Sequence, residues 1–312
     1  MERWTPEHGV TLEQSTRDRY ANVHALHVAP ALDDVPLSGI TVSVLRRWQA
    51  GLIAGGMAPG SVHKCRTFLS SVLRHAAESE AMPANPLALV RAPRAEHREQ
   101  VQPLAPVTVE RIRSALDAER AAIVSVLAYA GLRPGELRAL RWGDVREHTI
   151  LVQRGADPTG KAKATKTRAV RTVRLLAPLA ADLKEWRMAS GRPRDTALVF
   201  PSATGEGWTK DEWDVFRRRA WSTASKRAGL PSVPRPYDLR HSFASLLLAE
   251  GRTVHYVAAQ LGHSPALTLS TYGHLIAEYA DAGPIQAEKE ILRVRAASVV
   301  VPKPPKGFVC TA

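Results

Sequence analysis

Residues 237–251, YDLRHSFASLLLAEG, place basic side chains at the start of a helix. The apolar residues of this segment recur at helical spacing, which predicts an N-cap at Asp238 and an end near Gly251. Arg240 and His241 then lie in the first turn. The amino end of a helix already carries the positive pole of the helix dipole, so acidic residues would be stabilising there. Basic residues at this end therefore indicate a site that binds an anion.

A second arginine has the same setting in residues 129–142, YAGLRPGELRALRW. The preceding helix is predicted to end at Gly131, and Pro134 suits the first position of the next helix. Arg133 therefore lies at a helix start, with Glu136 in the first turn. An arginine in this setting can equally pair with a surface carboxylate, so alone it does not establish an anion site.

Three further side chains complete the set of candidates. Lys166 lies at the edge of a strand in ATKTRAVRTVRL. In LGHSPALTLSTYGHL, His263 lies between a helix that ends at Gly262 and one that begins at Ser264, and Tyr272 follows nine residues later. Each has a structural alternative, because Lys166 can be one cation of a basic hairpin, His263 a junction residue and Tyr272 a packing residue.

The chain around these motifs is predicted to form two domains and a linker. Residues 1–90 show apolar stripes at helical spacing, as in TVSVLRRWQAGLI, where Thr41 is the expected cap. Residues 91–105 are rich in proline and charge, which is typical of a linker. Residues 106–282 begin with helices, continue with two strands, HTILVQRG and RAVRTVRLL, around a Gly- and Lys-rich loop, and end in helices. Residues 283–312 form a tail.

The tail contains a segment that can form a short amphipathic helix, PIQAEKEILRVRAAS at residues 284–298. Its apolar side chains can pack on their own domain or dock on a neighbouring subunit. The sequence leaves both alternatives open.

The positive charge of the chain suggests a polyanionic partner, although solubility alone can also explain it. The chain has a net charge of +13, of which residues 1–100 contribute +1 and residues 101–312 contribute +12. Cys65 and Cys310 are too few and too far apart for a disulfide framework or a zinc site. Neither a signal peptide nor a membrane-spanning segment is evident in the sequence. These features predict a cytoplasmic protein without membrane contact.

The motifs GLRPGEL, the lysine hairpin, DLRHSFAS, LGHS and TYGHL, in this order, resemble the tyrosine recombinase or phage integrase family over about residues 105–280. Residues 1–90 resemble, more weakly, the helical core-binding (SAM-like) DNA-binding domain of that family, and residues 106–282 its catalytic domain. The resemblance implies a fold that is mainly α with a small antiparallel β-sheet.

The resemblance also implies roles for the candidate residues. Arg133 and Arg240 match the two catalytic arginines of the family. Lys166 matches the hairpin lysine, which protonates the leaving oxygen. His263 matches the late histidine, a hydrogen-bond donor to the phosphate, and Tyr272 matches the nucleophile.

One position departs from the family pattern. Where members usually begin the second-arginine motif with His or Lys, this chain has Tyr237. A tyrosine can donate a hydrogen bond to a phosphate oxygen but is a poor proton carrier near pH 7. Tyr237 therefore stays in the catalytic set with an altered role. Glu136 is expected to support the arginine pocket, and His241 is assigned a structural role.

The resemblance implies a site-specific DNA recombinase of the integrase type. Such an enzyme cuts and rejoins DNA through a 3′-phosphotyrosine intermediate and a Holliday junction, without a metal or a cofactor. The implied partners are double-stranded recombination sites, a homotetramer on DNA and, as an option, an accessory DNA-bending or directionality protein. The implied location is the nucleoid. Two alternatives remain: a type IB topoisomerase-like nicking-closing enzyme, and a DNA-binding relative with impaired catalysis.

Overall fold

The computed structural model describes residues 4–94, 101–164, 170–280 and 283–298. The chain divides into two compact units, residues 1–99 and residues 100–312. The described part of the first unit contains α1 (Trp4–Glu7), α2 (Gln14–Val23), α3 (Ala29–Leu32), α4 (Val42–Ala54) and α5 (Pro59–Glu78).

The core of the first unit includes the apolar faces of α4 and α5. Thr41 caps α4, as predicted, since its hydroxyl oxygen accepts the backbone N–H of Val44. Trp48 of α4 is buried, and its indole N–H donates to the carbonyl of His27 at 2.7 Å. Cys65 of α5 is also a buried core residue. Local capping and one apolar stripe per helix thus account for this small helical unit.

The second unit holds the remaining helices and all the described strands. Its described helices are α6 (Pro106–Ser114), α7 (Ala118–Tyr129), α8 (Pro134–Arg138), α9 (Ala177–Ala189), α10 (Lys210–Phe216), α11 (Ser222–Arg227), α12 (Leu239–Ala249), α13 (Val254–Leu261), α14 (Pro265–Ala280) and α15 (Ala287–Ser298). Its described strands are β1 (Thr149–Val152), β2 (Arg154–Ala156), β3 (Ala162–Ala164) and β4 (Arg171–Arg174). Among the described residues of both units, no helix is long and apolar enough to cross a bilayer.

The strands form two antiparallel pairs. β1 pairs with β4, with buried Ile150 opposite buried Val173. β2 pairs with β3, which corrects the prediction that the segment between the two strands is a loop. The carboxylate of Asp157 accepts the backbone N–H groups of Thr159 and Lys161, and this local turn brings β2 and β3 together.

Two helices, α7 and α12, run through the core of the second unit. From Ala122 to Tyr129 every residue of α7 is buried, and so are nearly all residues of α12. Helices that are buried on all sides lie inside a domain. The amino end of α12, which carries Arg240, is therefore held by a rigid element.

The start of α12 differs from the prediction. Asp238 immediately precedes the helix, but its carboxylate makes no hydrogen bond to the first turn of α12. It instead accepts the backbone N–H of Arg235 at 2.8 Å and pairs with the Arg235 guanidinium. This contact closes a short 3₁₀ turn over residues 236–238, which occupies the Asp238 side chain before the α-helix begins. Tyr237 lies in that turn.

The helix predicted in the tail is present as α15 and packs on the second unit. Ile291 and Val294 are buried, and α15 contacts α6, α9 and α12. For residues 287–298 the structure therefore shows the first of the two alternatives, packing on their own unit. Residues 299–312 lie outside the described residues.

Candidate active site

Three arginines meet at the carboxyl end of α13. Arg171 donates to the carbonyl of Gln260 at 3.0 Å, Arg240 to that of Leu261, and Arg133 to that of Gly262 at 3.2 Å. The last carbonyls of a helix lack partners within the helix and carry the negative pole of its dipole. The end of α13 therefore both accepts hydrogen bonds from the three guanidinium groups and stabilises their charge.

Gly262 makes this arrangement sterically feasible. It adopts the left-handed conformation, with φ 62° and ψ 48°, and the N–H of His263 returns to the carbonyl of Ala258 at 3.0 Å. This is a Schellman turn. A Cβ at position 262 would also lie 3.2 Å from Cδ of Arg171. A side chain at Gly262 would therefore strain the backbone and crowd an arginine.

Glu136 holds two of the arginines from the other side. Its carboxylate accepts Nη1 of Arg133 at 2.8 Å and both Nη1 and Nη2 of Arg171, at 2.8 and 2.7 Å. It also accepts the backbone N–H of Arg133, which precedes α8. Burial opposes ionisation of Glu136, but the bonds from Arg171 and Arg133 outweigh it and lower the pKa of the carboxyl to about 2. Glu136 is therefore a carboxylate that fixes the two guanidinium groups.

Arg240 is almost completely enclosed by protein, with 1% of its surface exposed. Besides the Leu261 carbonyl, its guanidinium donates to the carbonyl of Gly131. A Cβ at Gly131 would lie 2.5 Å from the ring of Phe243, so this position requires glycine. Burial, and then the charge of Arg133, lower the pKa of Arg240 to about 10, which leaves it protonated at neutral pH.

His263 is the third group in contact with Arg240. Its Nε2 lies 3.1 Å from Nη2 of Arg240 and must accept, because a guanidinium has donors alone. Burial, and then the charges of Arg240 and Arg133, lower the pKa of His263 to about 4, so the ring is neutral at pH 7. Its proton then lies on Nδ1. Among the described residues, neither this Nδ1 nor Nε of Arg240 has a hydrogen-bond partner, although both atoms are buried.

Tyr272 projects from α14 toward the start of α12. Its side chain is buried, and its hydroxyl lies 2.8 Å from Nδ1 of His241. Burial raises the pKa of Tyr272, while the charge of Arg240 acts in the opposite direction. Since His241 follows Arg240 in α12, the contact with His241 places the tyrosine in the same pocket as the arginines.

Tyr237 borders this pocket, and Lys166 lies outside the described residues. The half-buried ring of Tyr237 meets the ring of His241 edge to face, with centroids 5.8 Å apart. Of the six predicted site residues, the structure brings Arg133, Arg240, His263 and Tyr272 together and places Tyr237 beside them.

The sequence reasoning missed two side chains of the site. Arg171 was not singled out, because an arginine in a strand shows no sign of its partner 35 positions earlier in the chain. His241 was assigned a structural role, yet it contacts the hydroxyl of Tyr272. Its position next to Arg240 in the first turn of α12 was the available signal. Within the described ranges, no group of three or more His, Cys, Asp or Glu residues could hold a metal ion.

Comparison with known proteins places this site in a family. The sequence profile of the phage integrase family matches residues 98–278, more than half of the chain. The chain belongs to the phage integrase family. A second profile, described as phage integrase, N-terminal SAM-like domain, matches residues 1–53. These matches confirm the predicted family and the predicted enzyme class, a tyrosine-type site-specific recombinase.

Individual relatives agree with this assignment. Prophage integrase IntR of Escherichia coli K12 is 28% identical over 284 residues, covering 80% of this chain and 69% of the relative. Tyrosine recombinase XerC of Xanthomonas axonopodis pv. citri is 29% identical over 239 residues, covering 74% and 72%. The integrase of Mycobacterium phage D29 is 26% identical over 276 residues, covering 84% and 70%. The matches favour a recombinase over the topoisomerase-like alternative.

Solved structures share the fold. The Tn1549 transposon integrase in complex with transposon right end DNA has a TM-score of 0.73 at 20% identity, covering 90% of this chain and 96% of the other. A lambda integrase tetramer bound to a Holliday junction has a TM-score of 0.65 at 20% identity, covering 84% and 76%. This likeness confirms the predicted fold class, mainly α with a small antiparallel sheet.

Proposed function

We propose that this recombinase cuts and rejoins DNA through a 3′-phosphotyrosine bond formed by Tyr272. The observation that carries the proposal is the convergence of side chains from three separate segments of the sequence. Arg133 and Arg240 donate to adjacent carbonyls, His263 accepts from Arg240, and the hydroxyl of Tyr272 contacts the residue next to Arg240. A nucleophile beside fixed cations is the arrangement that phosphoryl transfer requires.

The arginines bind the scissile phosphate and stabilise the charge that develops on its non-bridging oxygens. Each guanidinium has five N–H donors in a rigid fork that matches phosphate. Arg133 uses one N–H for Glu136 and one for Gly262, and its side chain is 38% exposed. Arg240 has an unpartnered Nε–H among the described residues. Arg133 therefore keeps exposed donors for an incoming phosphate, and a phosphate oxygen that enters the pocket would give the buried Nε–H of Arg240 an acceptor.

The other predicted residues act around the same phosphate. The neutral ring of His263 carries an unpartnered Nδ1–H that can donate to a phosphate oxygen. Tyr237 donates a further hydrogen bond through its hydroxyl, as a phenol can. Lys166 protonates the 5′-oxygen that leaves. These are the roles that the family resemblance implies, assigned here as proposals.

The DNA partner is a pair of double-stranded recombination sites, joined through a Holliday junction by a homotetramer. The net charge of +12 on residues 101–312 supports binding to a polyanion. The lambda integrase, which shares this fold, has been solved as a tetramer on a Holliday junction. We extend that assembly to this chain, acting in the cytoplasm at the nucleoid, with an accessory DNA-bending or directionality protein as an optional partner.

A nicked suicide duplex tests the proposal. The recombination site is first mapped by sequencing junctions formed in cells. A nick near the cleavage position then lets the short 5′-hydroxyl fragment diffuse away, which traps the covalent protein–DNA adduct. We expect Tyr272→Phe to abolish the adduct with little change in DNA binding, because it removes one hydroxyl.

Tyr279→Phe is the matched control. Tyr279 lies on the same helix and donates to or accepts from Ser245 of α12, also at 2.8 Å. This variant should retain the adduct. An adduct formed by Tyr272→Phe would refute the assigned nucleophile. Recombinant product from paired intact sites identifies a recombinase. Relaxation of supercoils without recombinant product identifies a topoisomerase-like enzyme. DNA binding by the wild type without an adduct identifies a relative with impaired catalysis.

A further inference from the structure

The contact between His241 and Tyr272 points to a role that the assignments above leave open. Nδ1 of His241 lies 2.8 Å from the Tyr272 hydroxyl, and the two ring centroids are 5.6 Å apart. His241 is the third residue of α12, next to Arg240, and α12 is anchored in the core. The imidazole is thus held on a rigid element against the reacting oxygen.

The chemistry needs a proton acceptor at this oxygen. A phenol has an ordinary pKa of about 10, so little phenolate exists at neutral pH. Burial raises the pKa of Tyr272 further, which the charge of Arg240 opposes. Attack on phosphorus therefore requires that the proton leave as the bond forms, and a base within hydrogen-bond distance provides the path.

His241 has the properties of such a base. Burial lowers its pKa, as do the charges of Arg240 and Arg235, while Asp238 raises it, so the ring is neutral at pH 7. The other titratable groups facing it are Tyr237, Tyr272 and His263. With its proton on Nε2, neutral His241 presents the lone pair of Nδ1 to the hydroxyl.

We infer that His241 is a further catalytic residue, whose Nδ1 takes the proton of the Tyr272 hydroxyl as that oxygen attacks the scissile phosphorus. The inference rests on the proposed function. It replaces the structural role that the sequence assigned to His241. It also supplies a base at a site where Tyr237 occupies the position at which the family usually has His or Lys.

The step balances as follows. The O–H bond of Tyr272 breaks, its proton moves to Nδ1 of His241, and the oxygen's electron pair forms the new O–P bond. The bond from phosphorus to the 5′-oxygen breaks, and its electron pair stays on that oxygen, which Lys166 protonates. In rejoining, a 5′-hydroxyl gives its proton to Lys166, which the first step left neutral, as its oxygen attacks phosphorus. The bond from phosphorus to the Tyr272 oxygen breaks with its electron pair on that oxygen, and His241 returns its proton there.

The arginines couple this step to DNA binding. In the free protein the charge of Arg240 disfavours an imidazolium at His241. A phosphate bound to Arg133 and Arg240 adds negative charge beside the same ring, which makes His241 a stronger base. Proton transfer from Tyr272 is therefore favoured once the phosphate is in place.

The pH dependence of adduct formation tests the inference. On the nicked suicide duplex, the single-turnover rate of the wild type should rise with pH as His241 becomes neutral and then level off. His241→Asn should form adduct about a hundredfold more slowly at neutral pH, and its rate should keep rising toward alkaline pH because solvent must take the proton. His255→Asn, at an exposed histidine of α13, is the control and should match the wild type.

A substrate with sulfur in place of the leaving 5′-oxygen distinguishes protonation of the leaving group from deprotonation of the nucleophile. A thiolate leaves without being protonated, so this substrate should rescue Lys166→Ala and leave His241→Asn slow. Rescue of His241→Asn, or a wild-type rate and pH profile for that variant on the ordinary duplex, would overturn the inference. An adduct formed by Tyr272→Phe would instead overturn the proposed function. His241→Gln provides a second variant if His241→Asn loses DNA binding or melts at a lower temperature.

Discussion

Glu136 and Arg171 form a two-pronged ion pair, with Nη1 at 2.8 Å from Oε1 and Nη2 at 2.7 Å from Oε2. The same carboxylate binds the backbone N–H and the guanidinium of Arg133. The orientation of Arg133 therefore depends on the buried charge of Glu136.

Glu136→Gln should reduce both stability and cleavage. An amide keeps the shape of the side chain but loses the charge and turns N–H groups toward Arg171 and Arg133. Removing one partner of a buried ion pair costs roughly 3–5 kcal/mol of unfolding free energy, and misplacing Arg133 should slow adduct formation about a hundredfold. Urea denaturation and the suicide duplex measure the two effects.

Glu290→Gln is the control for this variant. Glu290 pairs with Arg293 at the surface of α15, where the Arg293 side chain is 70% exposed. Exposed pairs contribute little to stability, and cleavage should be unchanged. Equal losses in the two variants would show that burial of Glu136 does not set the cost.

Arg133→Lys and Arg240→Lys should each slow adduct formation on the order of a hundredfold or more, as loss of a phosphate-binding donor typically does. For Arg240 the reason is geometric, since one ammonium group cannot reach the carbonyls of Gly131 and Leu261 and still contact His263. Gel-shift titration should show that DNA binding persists. Near-normal cleavage by both variants would mean that these arginines do not touch the phosphate, and Arg293→Lys serves as the reference.

The stability of the protein should fall in mild acid because of His263. Its pKa of about 4 in the folded state lies below the ordinary 6.5, so between these values the unfolded chain binds a proton that the folded protein excludes. The contribution of neutral His263 to the unfolding free energy is therefore fully present above about pH 6.5, and it decreases as the pH falls toward about 4. The lowered pKa of His241 acts in the same direction.

Melting temperatures at about pH 7 and pH 5 check this prediction. His263→Gln should show a smaller decrease between the two values than the wild type, since it has no ring to protonate. His255→Gln, at an exposed position, should decrease as the wild type does. An identical decrease in all three proteins would rule out His263 as the source.

The tail helix offers a test of its packing. Ile291 is fully buried, whereas its neighbour Leu292 is 52% exposed. Ile291→Ala should lower the unfolding free energy by roughly 2–5 kcal/mol, and Leu292→Ala by about 0.5 kcal/mol or less. If both substitutions are nearly neutral in urea denaturation, α15 does not pack on the second unit in solution.

Removing residues 283–312 would therefore disturb the core as well as any contact between subunits. Arg295 of α15 pairs with half-buried Asp182 at 2.7 Å, which ties the helix to α9. A chain that ends after residue 298 keeps α15 and is the better variant for testing whether the last residues contribute to tetramer assembly.

Much of the catalytic pocket could be predicted because its residues lie at helix ends with clear local signals. Pro134, Gly262 and Pro265 mark where helices begin or end, and the structure places those boundaries as predicted. Arg133 and His263 occupy the junctions beside them. Such boundaries depend on neighbours within a few positions, which a sequence displays directly.

The remaining features depend on partners distant in the chain. Arg171 acquires its role from Glu136, and His241 from Tyr272, through contacts across 35 and 31 positions. Asp238 is a different case, since it has the right residue type for an N-cap but a near neighbour, Arg235, competes for its side chain. Competition among such partners is decided by packing, and spacing does not reveal it.

The three carbonyls at the end of α13 have a consequence for how this protein can vary. Successive residues of a helix are rotated by about 100° around its axis. The carbonyls of Gln260 and Leu261, and that of Gly262 just beyond the helix, therefore lie at defined positions, and each accepts from one arginine. Side-chain substitutions at exposed positions of α13 would leave these acceptors in place. Insertion or deletion of a single residue would rotate the whole set and offer every guanidinium the wrong acceptor. The length of this helix thus limits sequence variation more than the identity of most of its side chains does. A scan by point substitution would not detect this dependence on length.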